Sequence, residues 1–208
     1  MIRVRPAAEP HDFDRRCRRR GSAWLAEHPG PVRPEPFWRE FVGELAEGFE
    51  HRCGYSAIMI QNGTVDHFLS WKRNPSLAYE WSNFRYVDGR INSKKQLADD
   101  DVLDPFEVDD DWFEIILPSL QLRLTDRVPR GLRERAQYTI DRLGLFKDEQ
   151  IVSYRAQWYC LYHCNALPLD GLYRAAPLIA RAIEQAKQAP DPALCAGITR
   201  PVRRKSSR

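Results

Sequence analysis

Asp66 and His67 stand side by side, with Asn83 sixteen residues beyond the histidine, Asn92 twenty-five beyond it and Lys95 three further on. These residue types suit the hydrolysis of a phosphodiester, which needs an activated water, charge neutralisation on the phosphate and help for the departing 3′ oxygen. A neutral imidazole takes a proton from water near pH 7, so His67 is the candidate general base. One hard divalent cation with oxygen ligands neutralises both the phosphate and the leaving oxygen. Asp66 offers a charged oxygen for it and Asn92 a neutral amide oxygen. Mg²⁺ keeps several waters, so two protein ligands are enough, and Mn²⁺ is the alternative ion. Neighbours on a strand point to opposite faces, so Asp66 and His67 share one site only where the strand ends or twists. Singly, each residue has a plainer reading: a surface hydrogen-bonding pair for Asp66 and His67, a loop cap for Asn83, a helix N-cap for Asn92. The ordered set is what points to chemistry.

The elements around these residues are read from periodicity. Residues 1–35 are rich in Arg and Pro, and an extended or irregular arm is expected there. Pro36 suits a first helical turn, and Phe37, Phe41, Leu45 and Phe49 make one apolar stripe over Pro36–Phe49. From Tyr55 the period changes. Ser56 to Ile60 is β-like, Asn62-Gly63 is a strong hairpin-turn signal, and Thr64 to Phe68 reads as the returning strand. A loop through Asn74-Pro75 leads to Tyr79–Tyr86, and Ile91 to Leu97 reads as a short helix. The acidic stretch from Asp99 to Glu114 reads as a solvated loop entering a buried strand at Trp112–Leu117, with a partner surface as the other reading. The last third is helical, in stripes through Leu132–Leu143 (stopped by Gly144), Ile151–Leu161 and Leu172–Ile183, where Pro177 kinks or starts the final helix.

Composition bounds the rest. With 208 residues, 43% hydrophobic and 29% charged, the chain can bury one substantial core. No apolar run approaches the ~18 residues of a membrane span, and the first residues lack the apolar stretch of a signal peptide. A cytoplasmic location without membrane contact is expected. Five cysteines, an odd and scattered set, argue for free thiols, and Cys160 and Cys164 are expected to be buried packing residues rather than zinc ligands. Five of the 32 Lys and Arg residues fall after Thr199, against 29 acids in all, so most of the positive excess sits in a basic tail, 199–208, expected to be disordered. A second cluster, Arg15–Arg20, can hold phosphates without reading sequence.

The stretch Cys53–Pro105 resembles the HNH endonucleases, which carry a ββα-metal site. Val65-Asp66-His67-Phe68, Trp81-Ser82-Asn83 and Asn92-Ser93-Lys94-Lys95 match the three blocks of that family, and Asp104-Pro105 resembles a trailing Asp-Pro found in many members. The similar branch includes bacterial HNH subunits of anti-phage systems such as Septu. The resemblance implies His67 as base, Asp66 and Asn92 as metal ligands, and Asn83 as the residue that orients the base through backbone contacts. It also implies Lys95 beside the substrate phosphate. Many relatives brace the fold with zinc held by two cysteine pairs. Here only Cys53 stands where the first pair would be and Tyr86, Val87 and Asp88 where the second would be, so structural zinc is not expected. Trp71, Trp81 and Phe84 are candidates for apolar bracing instead.

The expectation is therefore an α+β chain: a ββα-metal nuclease core at about 53–105, embedded in a mainly helical single domain over 36–198. Nucleic acid, with DNA the expected form, is the partner, and a companion ATPase or defence-system subunit is a further one. Arg85 and Lys94 near the motif, with Arg18, Arg19 and Arg20, are the expected nucleic-acid contacts. Two other readings remain at this point: an inactive nucleic-acid-binding module, and a helical protein-interaction domain.

Overall fold

The computed structural model describes residues 1–30 and 32–188; the expected basic tail and the C-terminal end of the expected domain lie outside the described residues. Val65 and its neighbours do form a strand, β1 (Gly63–His67), but its partner comes later in the chain than the hairpin reading placed it. β2 (Phe84–Asp88) pairs with β1 antiparallel, Gly63 opposite Asp88, Asp66 opposite Arg85 and His67 opposite Phe84. Residues 55–60 make turns and one isolated bridge, Arg52 to Met59. Gly63 serves close packing rather than a hairpin turn. A Cβ there would sit 2.3 Å from the Tyr86 ring, and the Gly63 N–H donates to the Tyr86 hydroxyl at 2.9 Å. The two strands are joined by the long loop 68–83.

β2 runs straight into α3 (Gly89–Lys95). Its N-cap is Asp88, whose carboxylate accepts from the backbone N–H groups of Arg90 and Ile91 at 2.9 and 3.3 Å, the usual role of an acidic cap. Asn92 is thus not the cap and lies one turn inside the helix.

Alternation of side chains along paired strands sorts the sheet into two faces. Val65, His67, Phe84 and Tyr86 share one, against an aromatic cluster that includes Phe13, Trp38, Phe41 and Trp81. Thr64, Asp66, Arg85 and Val87 share the other, which meets α3 and a larger aliphatic core. β2 is buried from Phe84 to Val87.

The aromatic cluster recruits the N-terminal segment. A π-helical turn (Asp14–Arg18) continues into α1 (Arg19–Glu27), which replaces the irregular arm expected over 1–35. Phe13, Cys17 and Gly21 fall at spacing four on its inner side, and all are buried. Phe13 meets Phe41, Trp81 and Phe84 edge-on at 5.1, 5.2 and 5.8 Å between ring centroids, the geometry that aromatic quadrupoles favour. The expected Pro36–Phe49 helix is present as a 3₁₀ turn (Phe37–Phe41) and α2 (Val42–Gly48).

The remainder is helical around a second antiparallel pair, β3 (Phe113–Ile116) and β4 (Gln121–Leu124). α4 (Arg133–Leu143) ends on Gly144 at φ +70°, a left-handed cap that glycine adopts without strain. α5 (Glu149–His163), α6 (Leu169–Ala175) and α7 (Pro177–Gln188) follow, the last opening at Pro177. The architecture is α+β, mainly helical with two small sheets. No helix among the described residues is long and apolar enough to cross a membrane. Cys160 and Cys164 are exposed, their sulfurs 3.8 Å apart, and do not pack in the core. One turn of helix separates them on a face left exposed among the described residues.

Gly63→Ala is expected to lower stability by about 1–3 kcal/mol, the range for overpacking a close contact. Gly131→Ala, where a Cβ meets nothing within 4 Å, should stay within about 0.5 kcal/mol. Urea denaturation of the two variants checks both.

Candidate active site

Because the sheet has two strands among the described residues, one edge of β1 is open to something other than a strand. α3 covers part of it. The Asn92 amide donates to the Val65 carbonyl at 3.2 Å and to the Thr64 hydroxyl at 3.1 Å. One turn further on, the Lys95 ammonium donates to the carbonyls of His67 and Phe68 at 3.1 and 2.8 Å. Side chains of a helix thus take the place of the missing strand neighbour, as the hydrogen-bonding demand of strand backbone requires.

Along the rest of that edge runs a cleft of about 520 Å³, whose lining includes Trp38, Arg39, Asp66, His67, Ser70 and Asn92. Asp66 and His67 do point to opposite faces. They reach one cleft because the cleft follows the strand edge, where the two faces meet.

Asp66 is buried, and its carboxylate faces the Lys95 ammonium at 3.3 Å, with the Tyr55 hydroxyl donating at 3.4 Å. Burial lifts its pKa above the ordinary carboxylate value, with Lys95 and Arg85 opposing the shift. Lys95 is fully buried. Its amine meets two carbonyls and a carboxylate, so it does not stand beside a substrate phosphate as the resemblance implied; it holds Asp66 and the end of β1 in place.

His67 donates from Nε2 to the Ala78 carbonyl at 2.8 Å. Its ring packs edge-on against Trp38 and Phe84, at 4.7 and 5.1 Å between centroids. Burial lowers its pKa from 6.5 to about 4; the Lys95 charge acts in the same direction and the Ala78 bond opposes it. The ring is therefore neutral at pH 7. With the proton on Nε2, the lone pair sits on Nδ1.

The acceptor carbonyl belongs to the 68–83 loop, and Asn83 shapes that loop. Its amide donates to the carbonyls of Leu69 and Leu77 at 2.9 and 3.1 Å, and its oxygen accepts from the Leu69 N–H at 2.8 Å. Leu77 precedes Ala78. Asn83 thus holds the loop that presents the Ala78 carbonyl to His67.

The expected nucleic-acid contacts fare differently. Arg85 is buried, paired bidentately with Asp104 at 2.8 and 2.5 Å, and donates to the carbonyls of Ser82 and Phe84. Its guanidinium lies 3.6 Å from the Phe106 ring centroid. It is a core ion pair, out of reach of a phosphate. Lys94 is paired with Asp148. Arg18 meets Glu9, Asp14 and Glu80, Arg19 meets Asp14, and Arg20 meets Glu40. The basic run near the N-terminus is matched by acids and is not an open cationic patch. Trp81 and Phe84 brace the aromatic cluster as expected, and Trp71, half-buried, packs against it while also lining the cleft. Asp104, and Asp99 (which accepts the Ser70 N–H at 2.8 Å), are structural members of a run read as solvated.

Asp66 and Asn92 match a hard divalent cation in ligand type. With both bonds of the Asn92 amide nitrogen directed at β1 oxygens, its own oxygen accepts no hydrogen bond among the described residues. The buried Asp66 carboxylate already faces one cation, Lys95, at 3.3 Å. No group of three or more His, Cys, Asp or Glu suited to a metal occurs among the described residues, so the ion's remaining ligands would be waters and substrate. Cys53 is buried and accepts the Asp88 N–H at 3.4 Å. Comparison with protein-family models and with curated proteins gives no match.

Two outcomes follow from these burial patterns. Lys95→Met leaves a carboxylate buried without its cation and is expected to cost about 3–5 kcal/mol, and adding Asp66→Asn should recover part of that loss. A double-mutant cycle by chemical denaturation measures it. For His67, the unfolded chain binds the proton below about pH 6.5 and the folded chain only below about pH 4. Stability from this group is therefore present above pH 6.5 and lost as pH falls through that window, by about 3 kcal/mol in total. In EDTA, wild type should lose that much more than His67→Gln between pH 7 and 4; Asp66 is common to both and cancels in the difference.

Proposed function

We propose that the protein is a metal-dependent endonuclease of HNH type, cutting phosphodiester bonds in nucleic acid with His67 as general base. One observation carries the reading. A histidine held neutral, its Nε2 proton fixed by the Ala78 carbonyl, lines the same cleft as a buried aspartate and an asparagine whose oxygen has no donor among the described residues.

In this reading His67 Nδ1 takes a proton from a water as its oxygen attacks phosphorus, and the bond from phosphorus to the 3′ oxygen breaks in line. The carbonyl of Ala78 keeps the imidazole in the required tautomer and stabilises the imidazolium that forms. A phosphate anion in the cleft raises the proton affinity of His67, so a base that is weak in the empty site strengthens when substrate is present. Asp66 and Asn92 would hold Mg²⁺ or Mn²⁺, which when bound supplies charge neutralisation on the phosphate and the leaving oxygen. Lys95 keeps the Asp66 carboxylate in place, and Asn83 sets the loop that presents the Ala78 carbonyl. Both are positioning residues. DNA as substrate, a defence role and a companion ATPase rest on the family resemblance alone.

A supercoiled-plasmid assay tests the proposal. Relaxation or linearisation is expected with Mg²⁺ or Mn²⁺, to be abolished by EDTA and reduced at least 100-fold in His67→Ala, the usual contribution of a positioned base. Asn92→Ala should raise the metal concentration needed for half-maximal cleavage. Cleavage equal in wild type and His67→Ala, with both folded, would sink the assignment of the base.

A further inference from the structure

A second cavity, of about 240 Å³, adjoins the cleft, lined by Leu25, Val32, Pro34, Pro75 and Trp71 with Lys72 beside them. Trp71 lines both spaces. The Lys72 ammonium lies 5.6 Å from the centroid of the Trp71 ring. On the cleft itself Arg33 and Arg39 are exposed, and neither has an ion-pair partner among the described residues. That sets them apart from the arginines of 15–20, each of which is matched by a carboxylate where it is paired. The uncompensated charge on this side of the molecule thus lies beside an aromatic ring and an apolar recess, next to the reactive edge of β1.

We propose that the substrate carries an unpaired nucleotide at this position, its base stacked on Trp71 in the apolar recess and its flanking phosphates held by Arg33, Arg39 and Lys72. The inference rests on the nuclease reading for the identity of the cleft and names the form of nucleic acid that fits it. Within an uninterrupted duplex both faces of a base are covered by its neighbours and its edge is paired, so the base reaches a recessed ring only after extrusion, which costs a few kcal/mol. An unpaired base in a single strand, flap or bulge pays little of that. Cationic side chains beside an aromatic platform are the combination that binds single strands with little sequence preference. The sequence holds the signal in the adjacent pair Trp71-Lys72, where the ring was expected only as apolar bracing.

The test is binding without cleavage. Full-length protein in EDTA is titrated against a fluorescein-labelled single-stranded oligonucleotide of mixed sequence and against the same oligonucleotide as a blunt duplex, read by anisotropy. The single strand is expected to bind at least tenfold more tightly. Trp71→Ala should weaken single-strand binding about tenfold, within the range for loss of one stacked base, with duplex binding unchanged. Trp71→Phe, which keeps a platform, should restore most of the loss and guards against misfolding as the cause. Arg39→Gln should flatten the dependence of single-strand affinity on salt. Equal affinity for the two forms, or a Trp71→Ala variant that loses nothing or loses both alike, overturns the inference even if plasmid cleavage is found. A single-strand preference centred on Trp71 with no cleavage under any metal supports it and removes the nuclease reading instead.

Discussion

One buried ammonium organises the neighbourhood of the site. Lys95 contacts Asp66 and the carbonyls of His67 and Phe68, so a single group neutralises the carboxylate, closes the open edge of β1 and fixes where the strand hands over to the loop. Desolvation of such a charge is costly, and the hydrogen bonds around it offset that cost only because every one of them is made. The geometry of the two candidate groups on β1 thus depends on a residue that never meets solvent. A lysine can do this from within a helix because its long stem lets the ammonium reach the carbonyls at the end of the strand.

The two faces of β1 have different chemistries because two different cores adjoin them. On the His67 side, burial among aromatic rings keeps the imidazole neutral, against the Ala78 carbonyl, which favours the charged form. On the Asp66 side, burial lifts the carboxyl pKa while Lys95, Arg85 and the Tyr55 hydroxyl oppose the shift. Groups with opposite requirements are placed on adjacent residues, and each is served by its own surroundings. The strand backbone is the partition between them.

The sequence made some of this legible and hid the rest for definable reasons. The helical stripes were readable because Leu, Ile and Ala recur at helical spacing in α4 and α7, with Gly144 and Pro177 marking their ends. The polar set Asp66, His67, Asn83 and Asn92 could be read as a group because its order matched a chemical need. The partner of β1 could not be read: Asn62-Gly63 imitates a turn, and only the Tyr86 ring, 23 residues away, explains that glycine. The N-terminal helical segment was missed because its buried stripe is Phe13, Cys17 and Gly21, where small residues replace the large ones that periodicity detects. Arg85 and Lys95 were misplaced for a common reason. Sequence registers that a residue is charged, whereas burial and a carboxylate partner decide whether the charge faces a ligand or the core.

The clasp between Gly63 and Tyr86 has a consequence for how the chain reaches its working form. A two-residue repeat in side-chain direction means that a slip of β1 by one place would exchange the surroundings of Asp66 and His67 completely. The carboxylate would then face the aromatic rings and the imidazole the buried ammonium. Only a residue without a side chain fits under Tyr86, and Thr64, the next in line, does not. The same contact that packs the ring therefore checks the alignment of the strand as it forms. A misaligned molecule would not be a slightly weakened version of this protein but a chain with the surroundings of Asp66 and His67 transposed.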